Sequence, residues 1–140
     1  MITKREIKFR GKGSDTGKWV YGFLSFFYTA GRDENGLIFT DKAKIYSPED
    51  CRGDDVWAET VGQLTGLRDK NGKEIYEGDI VQLDYITTNG KHRIGLSFEV
   101  KWCTQEGCWV GWDGFVENAL QQTHKMFVVK GNIYDNPNLI

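Results

Sequence analysis

Three Asn-Gly dipeptides, Asn35-Gly36, Asn71-Gly72 and Asn89-Gly90, constrain this chain more than any other feature. Both residue types tolerate positive φ, which tight turns matching strand twist require, so each dipeptide marks a hairpin between extended segments. The flanking runs are rich in Ile, Val, Phe, Tyr, Trp and Thr, side chains that fit a half-buried pleated surface. The pattern predicts an all-β fold, mainly β with one short helix.

At 140 residues there is room for one compact domain or two small β units. With 39% hydrophobic and 27% charged residues the chain can bury a core, and a disordered or fibrous class is excluded. The net charge of −2 gives no whole-molecule field to gather nucleic acid or anionic lipid. No run has signal-peptide or membrane-span character, so no membrane association is expected. Three cysteines, Cys51, Cys103 and Cys108, are an odd count that suits a reducing compartment, which predicts a cytoplasmic protein.

Along the chain, Ile7 and Phe9 alternate with charged neighbours, as a strand with one wet face does. Trp19, Tyr21 and Phe23 share a second strand face, and the run to Tyr28 is apolar enough to be covered on both sides. Leu37–Thr40 and Lys44–Tyr46 read as two shorter strands. Residues 47–59 hold Pro48 and five acidic residues against Arg52 alone, which predicts a solvated loop. Further strands are expected over Ile80–Ile86, Gly95–Trp102, Cys108–Trp112 and Lys125–Tyr134. A helix capped by Asp113 is expected between the last two, because Phe115/Ala119 and Val116/Leu120 sit at four-residue spacing. The organisation predicted is an N-terminal β-hairpin unit over residues 1–66 and a small barrel, SH3-like or OB-like, over residues 67–140.

The segment from Thr65 to Val81, TGLRDKNGKEIYEGDIV, strongly resembles the signature of the YopX family of small phage and prophage proteins. The opening Arg5–Gly11 and the closing Gly131–Pro137, GNIYDNP, are similar to that family's two ends. The resemblance implies a bacteriophage or prophage origin and an SH3-like barrel in the C-terminal half. It brings no catalytic residue with it. Physically, Asn71-Gly72 turns the chain and Gly78-Asp79 bends it, with Asp79 placed to accept backbone N–H groups of the bend. Structural turn-making is favoured over a catalytic carboxylate.

The segment from Val100 to Trp112, VKWCTQEGCWVGW, reads as a hairpin with a loop of either two or four residues within Thr104–Gly107, and both lengths give the same faces. Val100, Trp102, Trp109 and Gly111 then share one face, and Lys101, Cys103, Cys108, Val110 and Trp112 the other. A four-residue loop sets Cys103 directly opposite Cys108, with Cβ atoms about 4.5–5.5 Å apart. The two thiols could be a metal half-site completed by His92 or His124, or a disulfide. The usual zinc spacings are tighter and the cytoplasm is reducing, so packing as small hydrophobes is preferred, with no metal and no cofactor. Trp109 and Trp112 lie on opposite faces, and with Tyr76 they are the residues expected to contact a partner.

Lys4, Arg5, Lys8, Arg10 and Lys12 form the sole basic cluster, and Lys8 and Arg10 would carry phosphate contacts if nucleic acid were bound. No Gly-x-Ser-x-Gly, phosphate loop or His-x-x-x-His pair is present, so no enzyme is expected. The reading is a binding module for another protein, with a nucleic-acid-binding barrel as the alternative and self-association a further expectation.

Overall fold

The computed structural model describes residues 4–140. The chain divides into two compact units, one up to Leu64 and one from Thr65 onward. Both are built from antiparallel strands, so the mainly-β expectation holds.

In the first unit the strands are β1 (Phe9–Lys12), β2 (Trp19–Asp33), β3 (Gly36–Ser47), β4 (Arg52–Trp57) and the start of β5 (Gly62–Arg68). They lie in the order β4-β3-β2-β1-β5. Ala43, Ile45 and Val56 are fully buried and pack with Phe9, Val20 and Leu24. Gly11 has to be glycine here. A Cβ on it would come within 2.6 Å of Val56 Cγ2, so β1 passes directly over that core. The strands expected over Leu37–Thr40 and Lys44–Tyr46 are one strand, β3, which pairs with β2 along its length through several register shifts.

The acidic stretch is not a loop. After a turn that leaves Cys51 at φ 54°, residues 52–57 form β4, and Ala58–Thr60 a 3-10 turn. Two of its acids are paired with cations, one of them distant in the chain. Lys44, opposite Asp55 on β3, lies 3.4 Å from it, and Arg52 lies 3.3 Å from Asp54. Val56, directly after Asp55, drops into the core, and that burial outweighs the solubility of its neighbours.

The second unit contains the rest of β5 beside β6 (Glu74–Tyr76), then β7 (Asp79–Ile86), β8 (His92–Cys103), β9 (Cys108–Trp112), β10 (Glu117–Ala119), a one-turn helix α1 (Leu120–Thr123) and β11 (Phe127–Asn132). Five strands order as β10-β9-β8-β7-β11 around a core of Ile75, Val81, Phe98, Val100, Leu120 and Phe127. Among the described residues β10 and β11 do not pair, so the sheet stays open where a closed barrel was expected. The expected helix is shifted as well. Asp113 Oδ1 accepts the N–H groups of Phe115 and Val116, each at 2.8 Å, which closes a turn. Residues 117–119 then join the ladder against Val110–Trp112, and the chain winds only from Leu120, as one α-helical turn continued by a 3-10 turn over His124–Met126. The four-residue apolar spacing marked the buried Leu120, not a long helical face.

The three Asn-Gly turns form as read, with Gly36, Gly72 and Gly90 at φ 124°, 84° and 81°. The family-like signature is held by buried carboxylates. Asp79 accepts the Tyr76 N–H at 2.8 Å, as the bend requires. Asp69, 5% exposed, accepts three backbone N–H groups: Asn71 at 2.8 Å, Lys73 at 2.9 Å and Val129 on β11 at 2.9 Å. At the closing motif Asn132 Oδ1 accepts the N–H groups of Tyr134 and Asp135, and Asn136 N–H returns to the Asn132 carbonyl at 2.8 Å. The motif side chains are committed to their own backbone.

Candidate functional site

Several surfaces leave large apolar side chains uncovered, among them the β7–β8 ribbon at Ile86, Ile94 and Leu96, and two of them carry paired aromatic rings. The first lies on the β8–β9 hairpin. The four-residue loop forms, Cys103 pairs with Cys108, and Trp102 pairs with Trp109, so the predicted faces are correct. The Trp102 and Trp109 rings meet edge-to-face at 5.0 Å, the arrangement favoured by opposed ring quadrupoles. Trp109 packs against the core, whereas Trp102 keeps 46% of its surface exposed. A cleft of about 300 Å³ beside them is lined by Trp102, Cys103, Gln105, Val110, Trp112 and Glu117. In it the Cys103 thiol donates to Glu117 Oε2 at 3.4 Å, and the Glu106 N–H donates to the Cys103 sulfur at 3.4 Å.

The second surface is the β2–β3 ribbon. β1 pairs with β2 only up to Gly22, and β4 with β3 only from Lys42 onward. Beyond Tyr28 on β2 and before Lys42 on β3 the two strands run on alone as an arm, among the described residues without a strand on either edge. Leu37, Ile38 and Phe39 on the arm, and Phe23, Phe26 and Phe27 at its base, where β4 still flanks β3, are 37–60% exposed. Phe26 stacks edge-on against Tyr28 at 5.0 Å, and Phe27 against Phe39 at 6.2 Å. Successive strand residues point to opposite faces, so Phe26 and Phe27 leave aromatic surface on both. An isolated two-stranded ribbon is marginal in water.

The arm's base is fixed electrostatically. The Tyr28 hydroxyl donates to Asp55 Oδ1 at 2.7 Å, which with Lys44 holds the Asp55 carboxyl below its ordinary range against the opposing effect of burial. Lys44 is held above its ordinary value by the Tyr28 oxygen and by Asp55. Three strands are thus clipped together where the supported sheet gives way to the free ribbon. In the second unit, His92 Nε2 lies 2.6 Å from Asp84 and Lys70 Nζ 3.1 Å from it; both keep the Asp84 carboxyl low.

The expected site residues are not brought together. Tyr76 is 4% exposed, because the signature bend delivers β6 straight into the core, so it offers a partner no surface. Trp109 and Trp112 are half-buried on the hairpin. Arg10 is 6% exposed and lies over the Trp19 ring at 4.6 Å, where its aliphatic stem is covered and its charge meets the π face; it is not on a wet face. Lys8 lies 3.4 Å from Glu6. His124 Nδ1 bonds the Arg68 carbonyl at 2.6 Å and His92 faces Asp84, so neither histidine joins the cysteines. All three cysteines are free, and among the described residues no three His, Cys, Asp or Glu side chains converge on a metal-sized site.

Sequence reasoning passed over Trp102 and the β2–β3 phenylalanines. Their signal was visible as an apolar run, but it was assigned to burial. Nothing local in a sequence says that two strands outrun the sheet that supports them.

These features define a mainly-β protein of two antiparallel units whose motif residues hold turns and which leaves both aromatic and aliphatic side chains uncovered. The chain belongs to the YopX protein family, whose sequence profile matches residues 8–140. It is similar to the crystal structure of protein EF1440 from Enterococcus faecalis, with 25% identity over 97% of this chain and 99% of that one and a TM-score of 0.48. A search of curated proteins finds no significant match. No helix among the described residues is long and apolar enough to cross a membrane.

Proposed function

We propose that this chain is a phage- or prophage-encoded, non-enzymatic binding module that contacts another protein through the β2–β3 arm, in the cytoplasm of a bacterial host. The observation that carries the reading is the arm and its base: large apolar side chains exposed on both faces of the β2–β3 ribbon, whose end no other strand among the described residues flanks. Burying them in a partner offsets the cost of presenting them to water. The motif polar groups support the same reading, since Asp69, Asp79 and the Asn132 amide oxygen each accept backbone N–H groups of the turns they close.

The nucleic-acid alternative ranks lower. Arg10 is buried against Trp19, Lys8 neighbours Glu6, and the arm's tip carries Asp33 and Glu34 against Arg32 alone. Phosphate binding asks for several free cations on one face. The cytoplasmic assignment rests on three unpaired thiols.

The reading is tested with a photo-crosslinking residue in place of Phe39, against one in place of the exposed Lys73, in cells producing the full chain. The expected result is a protein adduct at position 39 that disappears when Phe26→Glu is added. Adducts that form equally at both positions, or survive Phe26→Glu, refute it.

A further inference from the structure

We propose that Cys103 and Cys108 form a reversible dithiol site that takes a low-molecular-weight disulfide of the glutathione class. The two free thiols occupy the closing pair of the β8–β9 hairpin, directly opposite each other. Opposed residues of an antiparallel pair have Cα atoms about 4.5 or 5.5 Å apart, and either spacing lies within the roughly 4.4–6.8 Å that a disulfide spans. Their side chains leave the sheet on the same side, so no strand has to slip for the sulfurs to bond. Cytosolic disulfides that form are mostly transient and redox-sensing, so a reducing compartment is compatible with such a pair.

The two sulfurs are not equivalent. Cys108 is half-buried, whereas Cys103 is buried, donating its thiol proton to Glu117 Oε2 and accepting the Glu106 N–H, each at 3.4 Å. That difference sets an order, because the more accessible sulfur meets the oxidant first. The Cys108 thiolate attacks one sulfur of the oxidant, forming a mixed disulfide and expelling one glutathione thiolate. The Cys103 sulfur then attacks the Cys108 sulfur; its proton passes to Glu117 and the second glutathione thiolate leaves. Both thiol protons end on the departing thiolates, so two thiols and one disulfide become one disulfide and two thiols. Once the bond has formed, Glu117 Oε2 has lost its thiol donor, at the edge of the cleft that Trp102, Val110 and Trp112 line.

Equilibrating the reduced full chain with graded mixtures of glutathione and its disulfide, then alkylating the remaining thiols and mapping peptides by mass, tests this. Cys51 is the internal reference, an exposed thiol and the sole cysteine of its unit. The expected result is a link between Cys103 and Cys108, reversed by dithiothreitol, while Cys51 carries glutathione singly. Facing groups have an effective concentration of roughly mM or above, so with glutathione at about 0.1 mM the link outcompetes separate adducts on the pair at least about tenfold. Cys103→Ser, its fold checked by circular dichroism, leaves glutathione standing on Cys108, and Cys108→Ser leaves Cys103 open to alkylation only. Both cysteines staying alkylatable while Cys51 is modified overturns the site. Separate adducts on both, links between chains, or a link that forms no more readily in the native chain than in urea overturn it equally. If Cys103→Ser does not fold, Cys108→Ser and the comparison with urea decide.

Discussion

Replacing Asp69 with alanine is the sharpest probe of what holds the second unit together. The carboxylate is 5% exposed and accepts backbone N–H groups from Asn71, Lys73 and Val129 at 2.8–2.9 Å. Two of those donors sit in the Asn71-Gly72 turn and one on β11, so a single side chain fixes the turn and ties it to a distant strand. Hydrogen bonds to a charged acceptor contribute about 1.5–3 kcal/mol each, and an N–H left buried without a partner costs about 1–3 kcal/mol. Water can replace the carboxylate at the exposed turn but less readily at Val129, which places the net loss at about 3–5 kcal/mol. For a unit of this size that corresponds to a melting shift of about 15 °C or more. Asp69→Asn retains one acceptor oxygen but turns an NH₂ towards a backbone donor, so it falls between wild type and alanine. Urea titration followed by tryptophan fluorescence measures all three. An Asp69→Ala variant within about 0.5 kcal/mol of wild type would refute the reasoning, because that is the scatter of an ordinary surface substitution.

Gly11→Ala forces a Cβ to within 2.6 Å of Val56 Cγ2 and costs about 1–3 kcal/mol as overpacking, read as a lowered urea midpoint. Phe127→Ala empties a site 1% exposed, removes the edge-to-face contact with Phe98 at 5.7 Å, and costs about 3–5 kcal/mol in the same assay. Stability depends on pH in the acid range. Asp55 is lowered chiefly by Tyr28, Asp84 by His92 and then Lys70, and Asp113 by the Val116 and Phe115 N–H groups. Carboxyls whose folded values lie below the ordinary 3.8 contribute stability that is whole above that pH and is lost as pH falls through the lowered values. Acid titration by circular dichroism shows that loss, and Asp113→Asn makes its onset shallower. Tyr28→Phe lets the Asp55 carboxyl rise towards its ordinary value in an NMR titration, whereas an unchanged Asp55 midpoint contradicts the Tyr28 assignment.

What the sequence disclosed, and what it hid, divides along one physical line. Turns are local, so Gly36, Gly72 and Gly90 could be placed at positive φ from the dipeptides alone. The faces of the β8–β9 hairpin followed from the two-residue period of a strand, whereas the Cys103–Cys108 register needed the structure to choose the four-residue loop over the two-residue one. Asp79 could be assigned to its bend because donor and acceptor are three residues apart. Asp69 was not legible, since its third donor, Val129, lies 60 residues away. Strand β4 was hidden in the same manner, its Asp55 being paired with Lys44 across a ladder rather than with a neighbour in the chain. Arg10 and Tyr76 were misplaced because side-chain polarity was taken for exposure, when the Trp19 ring and the signature bend decide burial. The arm was missed because an apolar run is ambiguous between a strand covered by its own fold and one left for another molecule to cover.

That ambiguity is resolved by labelling side chains where the protein works. Hydroxyl-radical footprinting compares Phe26, Phe27 and Phe39 in intact producing cells with the same residues in dilute purified chain, using Phe115, 90% exposed, as the internal reference. The account predicts strong protection of the three β2–β3 phenylalanines in cells with Phe115 labelled alike in both samples. Equal labelling of those three in the two samples would contradict it.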